Sequence, residues 1–493
     1  MNERDLVRSM TGMPRTIAHA VAAAACVGTA LLGLAGCTSG GTAGSSAATG
    51  AASATSAASA VGAASGAGSS ASALPTRSLA SPGCSGATVR QAALSRVRTA
   101  MVPTSGSPFG AAVTPDGKWA FVAVGGQVEV LRFDRSLRPV LVRTISVPGS
   151  TLGTTITADG HYLLAADGSG AVVISVARAE QGAPDAVLGT LSTSRRGSAG
   201  GSPASRSSAT ANADPGSAIE VAVSPDRRFA FVTLEYADRV VVFNLARALT
   251  SGFGAADYVG SIPLGQAAVG LAVSPDGRWL YATSEIGVRS QDPTSPRASS
   301  GSAAPTAGAA ARGAGTAACP GTVAGEAPGA LTVINLRRAE SDPAHSVTVS
   351  VDAGFQPVRV ITSADGTQVW VTARASDDLL CFSAARLTSA PADALVAVVR
   401  VGEAPVGLMA VRGGSLIVVA DSNRFGASGA ASDLDVVSVG DALAGRPAVL
   451  GHVVAGQFPR EMAVPPGGDG TLLVTNFQSG QLEAVDVASL PGA

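Results

Sequence analysis

One short pattern returns seven times along this chain: an apolar run, a tight turn of the Asp-Gly kind, a second apolar run, and a third after a brief polar break. The copies read GAAVTPDGKWAFVAVGGQVEVLRF from Gly110, GTTITADGHYLLAADGSGAVVISV from Gly153 and EVAVSPDRRFAFVTLEYADRVVVFNL from Glu220. The next two are GLAVSPDGRWLYATSEIGV from Gly270, resuming at Ala330 with ALTVINL, and RVITSADGTQVWVTARASDDLLCFSA from Arg359. The last two are GLMAVRGGSLIVVADSN from Gly407, resuming at Leu434, and EMAVPPGGDGTLLVTNFQSGQLEAVDV from Glu461. Most copies add a fourth apolar run, such as Val140 to Val147, Val259 to Leu264, Val347 to Val351, Val396 to Val401 and Val449 to Val454. The Asp-Gly pairs at Asp116, Asp159, Asp276 and Asp365 supply the positive φ angles that tight hairpins need, which excludes a helical solenoid.

Four strands in each unit of roughly 40 to 50 residues is the size of a propeller blade. The expected fold is therefore an all-β, seven-bladed β-propeller with four-stranded blades. The seventh unit stops after its third strand near Val487, and the segment Ser95 to Val102 is the candidate for its fourth. An N-terminal strand pairing into the last blade would close the ring and remove the open edges that invite aggregation.

The domain reading has three parts. Residues 1–36 carry a basic start (Arg4, Arg8, Arg15), an apolar run from Ile17 to Leu34 and a small-residue exit, the pattern of a secretory signal. Leu34-Ala35-Gly36-Cys37 resembles the lipobox of bacterial lipoproteins, which implies lipidation at Cys37; an uncleaved anchor helix is the alternative. Either reading places the rest outside the cytoplasm, at the cell membrane. Residues 37–83 are mostly Ala, Ser, Gly and Thr, a composition that buries too little apolar surface to order and reads as a flexible tether. The propeller occupies 84–493, with low-complexity insertions at 192–216, 289–328 and 424–432. Cys84 and Cys319 lie in irregular segments and form a candidate disulfide, while Cys381 sits in an alternating strand as a buried thiol. A formal net charge of −1 offers no basic field for nucleic acid, so membrane contact is expected only through the N-terminal lipid.

The second-strand cores Phe121-Val122-Ala123-Val124, Val369-Trp370-Val371-Thr372-Ala373 and Leu473-Val474-Thr475-Asn476 resemble the YVTN repeats of seven-bladed propellers. That resemblance implies the fold over about residues 95 to 490. It is shared by surface-layer proteins, lactonase-like enzymes and redox-enzyme subunits, so it leaves the function open.

Aligning the units on the first turn places Gly110, Gly153, Glu220, Gly270, Arg359, Gly407 and Glu461 where the innermost strand begins. Glycine lets backbones crowd the axis, and Glu220, Arg359 and Glu461 are expected to converge at one end of the channel. The second-strand ends add Asp167, Glu235, Glu285, Arg374, Asp421 and Asn476 to the same rim, with Arg460 beside Glu461. Two arrangements follow: a site for a protein or small polar ligand gripped by arginine, or a plug in which Arg359 neutralises both glutamates. The insertions project from this face, where repeat proteins usually bind, although their composition equally fits disorder.

His161, His345 and His452 fall on a turn and outer strands, and no nucleophile elbow, zinc pattern or phosphate loop occurs, so no metal or cofactor is expected. The resemblance leaves one enzyme reading: a lactone hydrolase with Glu220 and Glu461 as acid and base. There Pro459-Arg460-Glu461 is similar to the Pro-Arg-His step of lactonase-like propellers, with glutamate in the place of histidine. The favoured expectation is a non-enzymatic, monomeric, membrane-tethered binding scaffold acting through its channel-mouth face.

Overall fold

The computed structural model describes residues 92–133, 137–193, 217–287, 327–425 and 432–492. Cys37, Cys84, Cys319 and most of the three insertions lie outside them, as do the signal and tether segments. The fold is an all-β propeller with four-stranded, antiparallel blades. In the third unit, for example, Ala218–Val223, Phe229–Leu234, Arg239–Asn244 and Tyr258–Pro263 pair in chain order. The strand Thr99–Pro103 pairs antiparallel with Gln481–Asp486 and becomes the outer strand of the last sheet. Just upstream, Ala93 makes a parallel bridge to His452, so the same N-terminal stretch also touches the sixth unit.

The sheet count differs from the expected seven. Six hydrogen-bonded sheets are present among the described residues, five of four strands and one of six that combines the first and second units. The cause is local. Trp119–Arg132 and Val140–Ile156 run for 14 and 17 residues, each covering what are two strands elsewhere. The Phe133 N–H donates to the Lys118 carbonyl at 2.8 Å, so Trp119–Arg132 folds back on itself about Gly125-Gly126. Gly125 then pairs with Thr151, whose hydroxyl donates to the Gly125 carbonyl at 3.0 Å, and this joins the two ladders.

The first turn of five units is fixed by its own side chains. Thr114, Thr157, Ser224, Ser274 and Ser363 donate to the aspartate two residues on at 2.5–2.6 Å. The same hydroxyls accept from the backbone N–H five residues on, which sets where the second strand starts. Third and fourth strands are joined by short helices that the repeat pattern did not reveal, such as Val176–Gln181 and Leu245–Ser251, capped by Ser175 and Asn244.

The core lies between neighbouring sheets, where Trp370, Tyr281, Phe121, Phe231, Phe243 and Phe382 are fully buried. Each contributes roughly 2–3 kcal/mol of apolar burial. Cys381 is a free, buried thiol in this core, and burial raises its pKa. One apolar cluster joins Ala111, Val113 and Val122 of the first unit to Ala463, Leu473 and Leu482 of the last.

Candidate functional site

The innermost strand of a unit begins with two residues that leave the ladder. In six units the pairing skips them: Leu152-Gly153, Ile219-Glu220, Val269-Gly270, Val358-Arg359, Val406-Gly407 and Arg460-Glu461. Four second-strand threonines make up for the lost ladder bonds. Thr233, Thr283, Thr372 and Thr475 accept from the backbone N–H of Glu220, Gly270, Arg359 and Glu461. Each hydroxyl then donates to the next unit, at the carbonyls of Val269, Val358, Val406 and, from the last unit to the first, Phe109. Neighbouring inner strands consequently approach closely. A Cβ on Gly153 would lie 2.5 Å from the Ile219 carbonyl oxygen, and one on Gly270 2.5 Å from that of Val358, so glycine is required at both.

The three charged residues at this level meet. Arg359 is 5% exposed, with its Nε 2.5 Å from Glu461 Oε1 and 3.3 Å from Glu220 Oε2. Burial would lower the Arg359 pKa, but Glu461 and Glu220 hold it above its ordinary value. Burial, then repulsion from Glu461, pushes Glu220 up to about 8. Of the two arrangements expected from the sequence, this is the paired one.

The second-strand ends do not share one rim, which corrects the expectation for Asp167, Asp421 and Asn476. These three pair with Thr151, Pro405 and Pro459, as Leu234, Ser284 and Ala373 pair with Ala218, Ala268 and Pro357. Glu235, Glu285 and Arg374 come one residue later, and one residue along a strand changes the face. Asp167, Asp421 and Asn476 instead turn into their own units, each against a glycine of the segment that precedes the unit: Gly149, Gly402 and Gly456. Asn476 donates to Glu483 there at 3.0 Å, and burial pushes Glu483 up to about 7. Burial and the neighbouring Asp435 and Asp433 raise Asp421 far above the carboxylate range.

The residues that do surround the mouth form two groups. Arg374 Nη2 donates to Glu285 at 2.9 Å and to Gln356 at 2.8 Å. Opposite charges also act on Glu235, whose pKa burial and Glu285 raise while Arg460, Arg374 and Arg424 oppose the rise. Arg460 forms the second group with three phenylalanines. Its guanidinium carbon lies 3.9 Å from the ring centre of Phe109, 5.6 Å from that of Phe458 and 5.5 Å from that of Phe477. Its Nε is buried without a hydrogen-bond partner, and burial followed by repulsion from Arg359 lowers its pKa to about 9. Gln356 and Phe458 occupy equivalent left-handed positions, with φ of 51° and 56°, as do Ala267 and Ala404.

No known protein family and no curated protein matches this sequence. Among solved structures, hydrazine synthase of Kuenenia stuttgartiensis is similar, with a TM-score of 0.53 and 14% identity over 79% of this chain and 98% of that one. The likeness shows the propeller fold alone. Gln356, Phe109, Phe458, Phe477 and Arg424 were not singled out from the sequence. Counting one residue further along the second strand would have found Phe477 beside Glu235, Glu285 and Arg374, because it follows Asn476 as they follow their strand ends. Chemically, the Glu220–Arg359–Glu461 group forms a charge-balanced floor, while Arg460 offers guanidinium donors that no carboxylate engages among the described residues.

Proposed function

We propose that this chain is an extracytoplasmic, lipid-anchored β-propeller of seven blades, related to the YVTN-repeat proteins, whose channel-mouth face is a binding scaffold. Support for seven blades is a hydrogen bond that recurs at the base of seven hairpins, at 2.8–3.1 Å. Phe133, Val176, Ala246, Leu336, Ala384, Val439 and Val487 donate to Lys118, His161, Arg228, Arg278, Thr367, Ser415 and Gly470. On this reading the six-stranded sheet is two blades sharing one ladder. Ring closure is supported by Thr475, which reaches Phe109 as Thr233 reaches Val269. The lipid anchor rests on the lipobox resemblance at Cys37.

The observation that carries the binding role is Arg460, a cation held among three aromatic rings with a buried donor unsatisfied. A buried N–H without an acceptor costs about 1–3 kcal/mol, which an incoming acceptor recovers. The alternative, a lactone hydrolase, asks Glu220 or Glu461 to act as a free base, whereas both face Arg359.

The test uses the full chain in its native membrane. Cys37→Ser should move the protein from the membrane to the soluble fraction. Hydrogen exchange on adding a small-molecule extract of the cell envelope should slow around Arg374, Glu235 and Arg460. Protection confined to other blades, or turnover of a lactone panel that Glu461→Gln abolishes, overturns the scaffold reading.

A further inference from the structure

The innermost strands place a ring of mostly buried apolar residues at the level of Arg460. The first of the two residues that leave the ladder is Leu152, Ile219, Val269, Val358 and Val406 in five units and Arg460 in the last, and Phe109 holds the same place in the first. Phe109, Ile219 and Val269 form one buried cluster, against which Leu152 and Phe477 pack. One cation is thus set into an otherwise hydrocarbon ring.

We infer that this ring takes a small organic monoanion, a carboxylate carried on an apolar body, with Arg460 holding the carboxylate and Phe109, Phe477, Leu152, Ile219 and Val269 receiving the body. The inference rests on the channel-mouth reading and names its ligand class. Stacking on Phe109 occupies a face of the guanidinium and leaves its in-plane N–H edge for a bidentate acceptor. Arg359 and Arg374 are ion-paired, with Glu220 and Glu461 and with Glu285, whereas Arg460 has no carboxylate partner among the described residues and keeps a buried Nε without an acceptor. The apolar residues beside Arg460 offer no partner to the remaining oxygens of an inorganic phosphate, which disfavours it against a carboxylate on an apolar body. A neutral apolar molecule would fill the ring but leave the Arg460 Nε without an acceptor, and an amine would face like charge.

The experiment observes the Arg460 Nε–H signal of the full chain by NMR while benzoate, hexanoate, benzamide, hexanamide and inorganic phosphate are added separately. Benzoate and hexanoate should shift that signal, with the two amides at least ten-fold weaker. Arg460→Met, which keeps an apolar side chain on the three rings and is followed through the Phe109 ring signals because it has no Nε–H, should weaken benzoate at least ten-fold, whereas Phe477→Leu should weaken it less while leaving the carboxylate preference intact. Unchanged near-UV circular dichroism shows that both variants fold. If phosphate or the amides bind as tightly as the carboxylates, or Arg460→Met binds benzoate like the parent, the ligand class is wrong while binding at the mouth stands. If no probe moves any signal of the mouth, the inference fails, and failure of the envelope extract as well removes the channel-mouth reading.

Discussion

A threonine hydroxyl at the end of a second strand acts as donor and acceptor at once, and this joins four of the units to the next. Thr475 accepts from Glu461 N–H at 3.0 Å and donates to the Phe109 carbonyl at 2.7 Å, with its side chain fully buried. Thr475→Val keeps the shape but leaves both backbone groups without a partner. The expected loss is about 2–4 kcal/mol, read from urea denaturation, with Thr475→Ser retaining most of the stability. The threonine was visible in the sequence as part of a repeat core, but its partner was not, because Phe109 stands 366 residues away. The charged trio was legible for the opposite reason: Glu220, Arg359 and Glu461 sit six residues before equivalent turns, and a common offset brings them to a common level. Asp167, Asp421 and Asn476 stand one residue earlier along their second strands than Glu235, Glu285 and Arg374 do. In a strand, a slip of one position moves a side chain to the opposite face.

At the scale of elements, the N-terminal strand was legible from a deficit: the last unit lacked a fourth strand and an apolar stretch stood unclaimed upstream. The structure places that strand at Thr99–Pro103, slightly later than the stretch from Ser95, because residues 95–97 turn between it and the bridge at Ala93. Removing residues 92–103 would leave Gln481–Asp486 with an unpaired edge and uncover Val102, which is 5% exposed. The shortened chain should lose its single cooperative melting transition and elute as aggregates in size-exclusion chromatography. A chain shortened only to residue 91 should behave as the parent does. The fusion of the first two units was not legible, since it depends on Gly125-Gly126 continuing the pairing through a turn rather than on any change in apolar pattern. The helices between third and fourth strands did leave a signal, a Ser or Asn directly before a helix-forming run, which alternation of apolar residues obscures.

Across the whole molecule, several buried carboxylates share a direction of shift that sets how stability responds to pH. Glu220 is pushed up to about 8 by burial and Glu461, Glu483 to about 7 by burial, and Asp378 to about 7 by burial despite Arg400. Each binds its proton more tightly in the folded chain than in the unfolded one. Between the unfolded carboxylate range near pH 4 and these raised values, the folded state therefore holds more protons, and stability falls as pH rises. Asp159, lowered to about 2 by its Thr157, His161 and Arg227 interactions against the effect of burial, works the other way, but its contribution is lost only as pH falls below about 4. The two sets act in separate windows. Thermal melting should accordingly give a higher Tm at pH 5.5 than at pH 8.5. Glu483→Gln isolates one contributor: its amide oxygen can still accept from Asn476 and Gly456, but the group no longer ionises. The variant should gain on the parent as pH rises from 5.5 to 8.5, so that the drop in Tm between those values becomes smaller. A parent Tm that climbs over the same interval would mean that these carboxylates enter the folded state ionised, with the channel floor carrying two negative charges against Arg359.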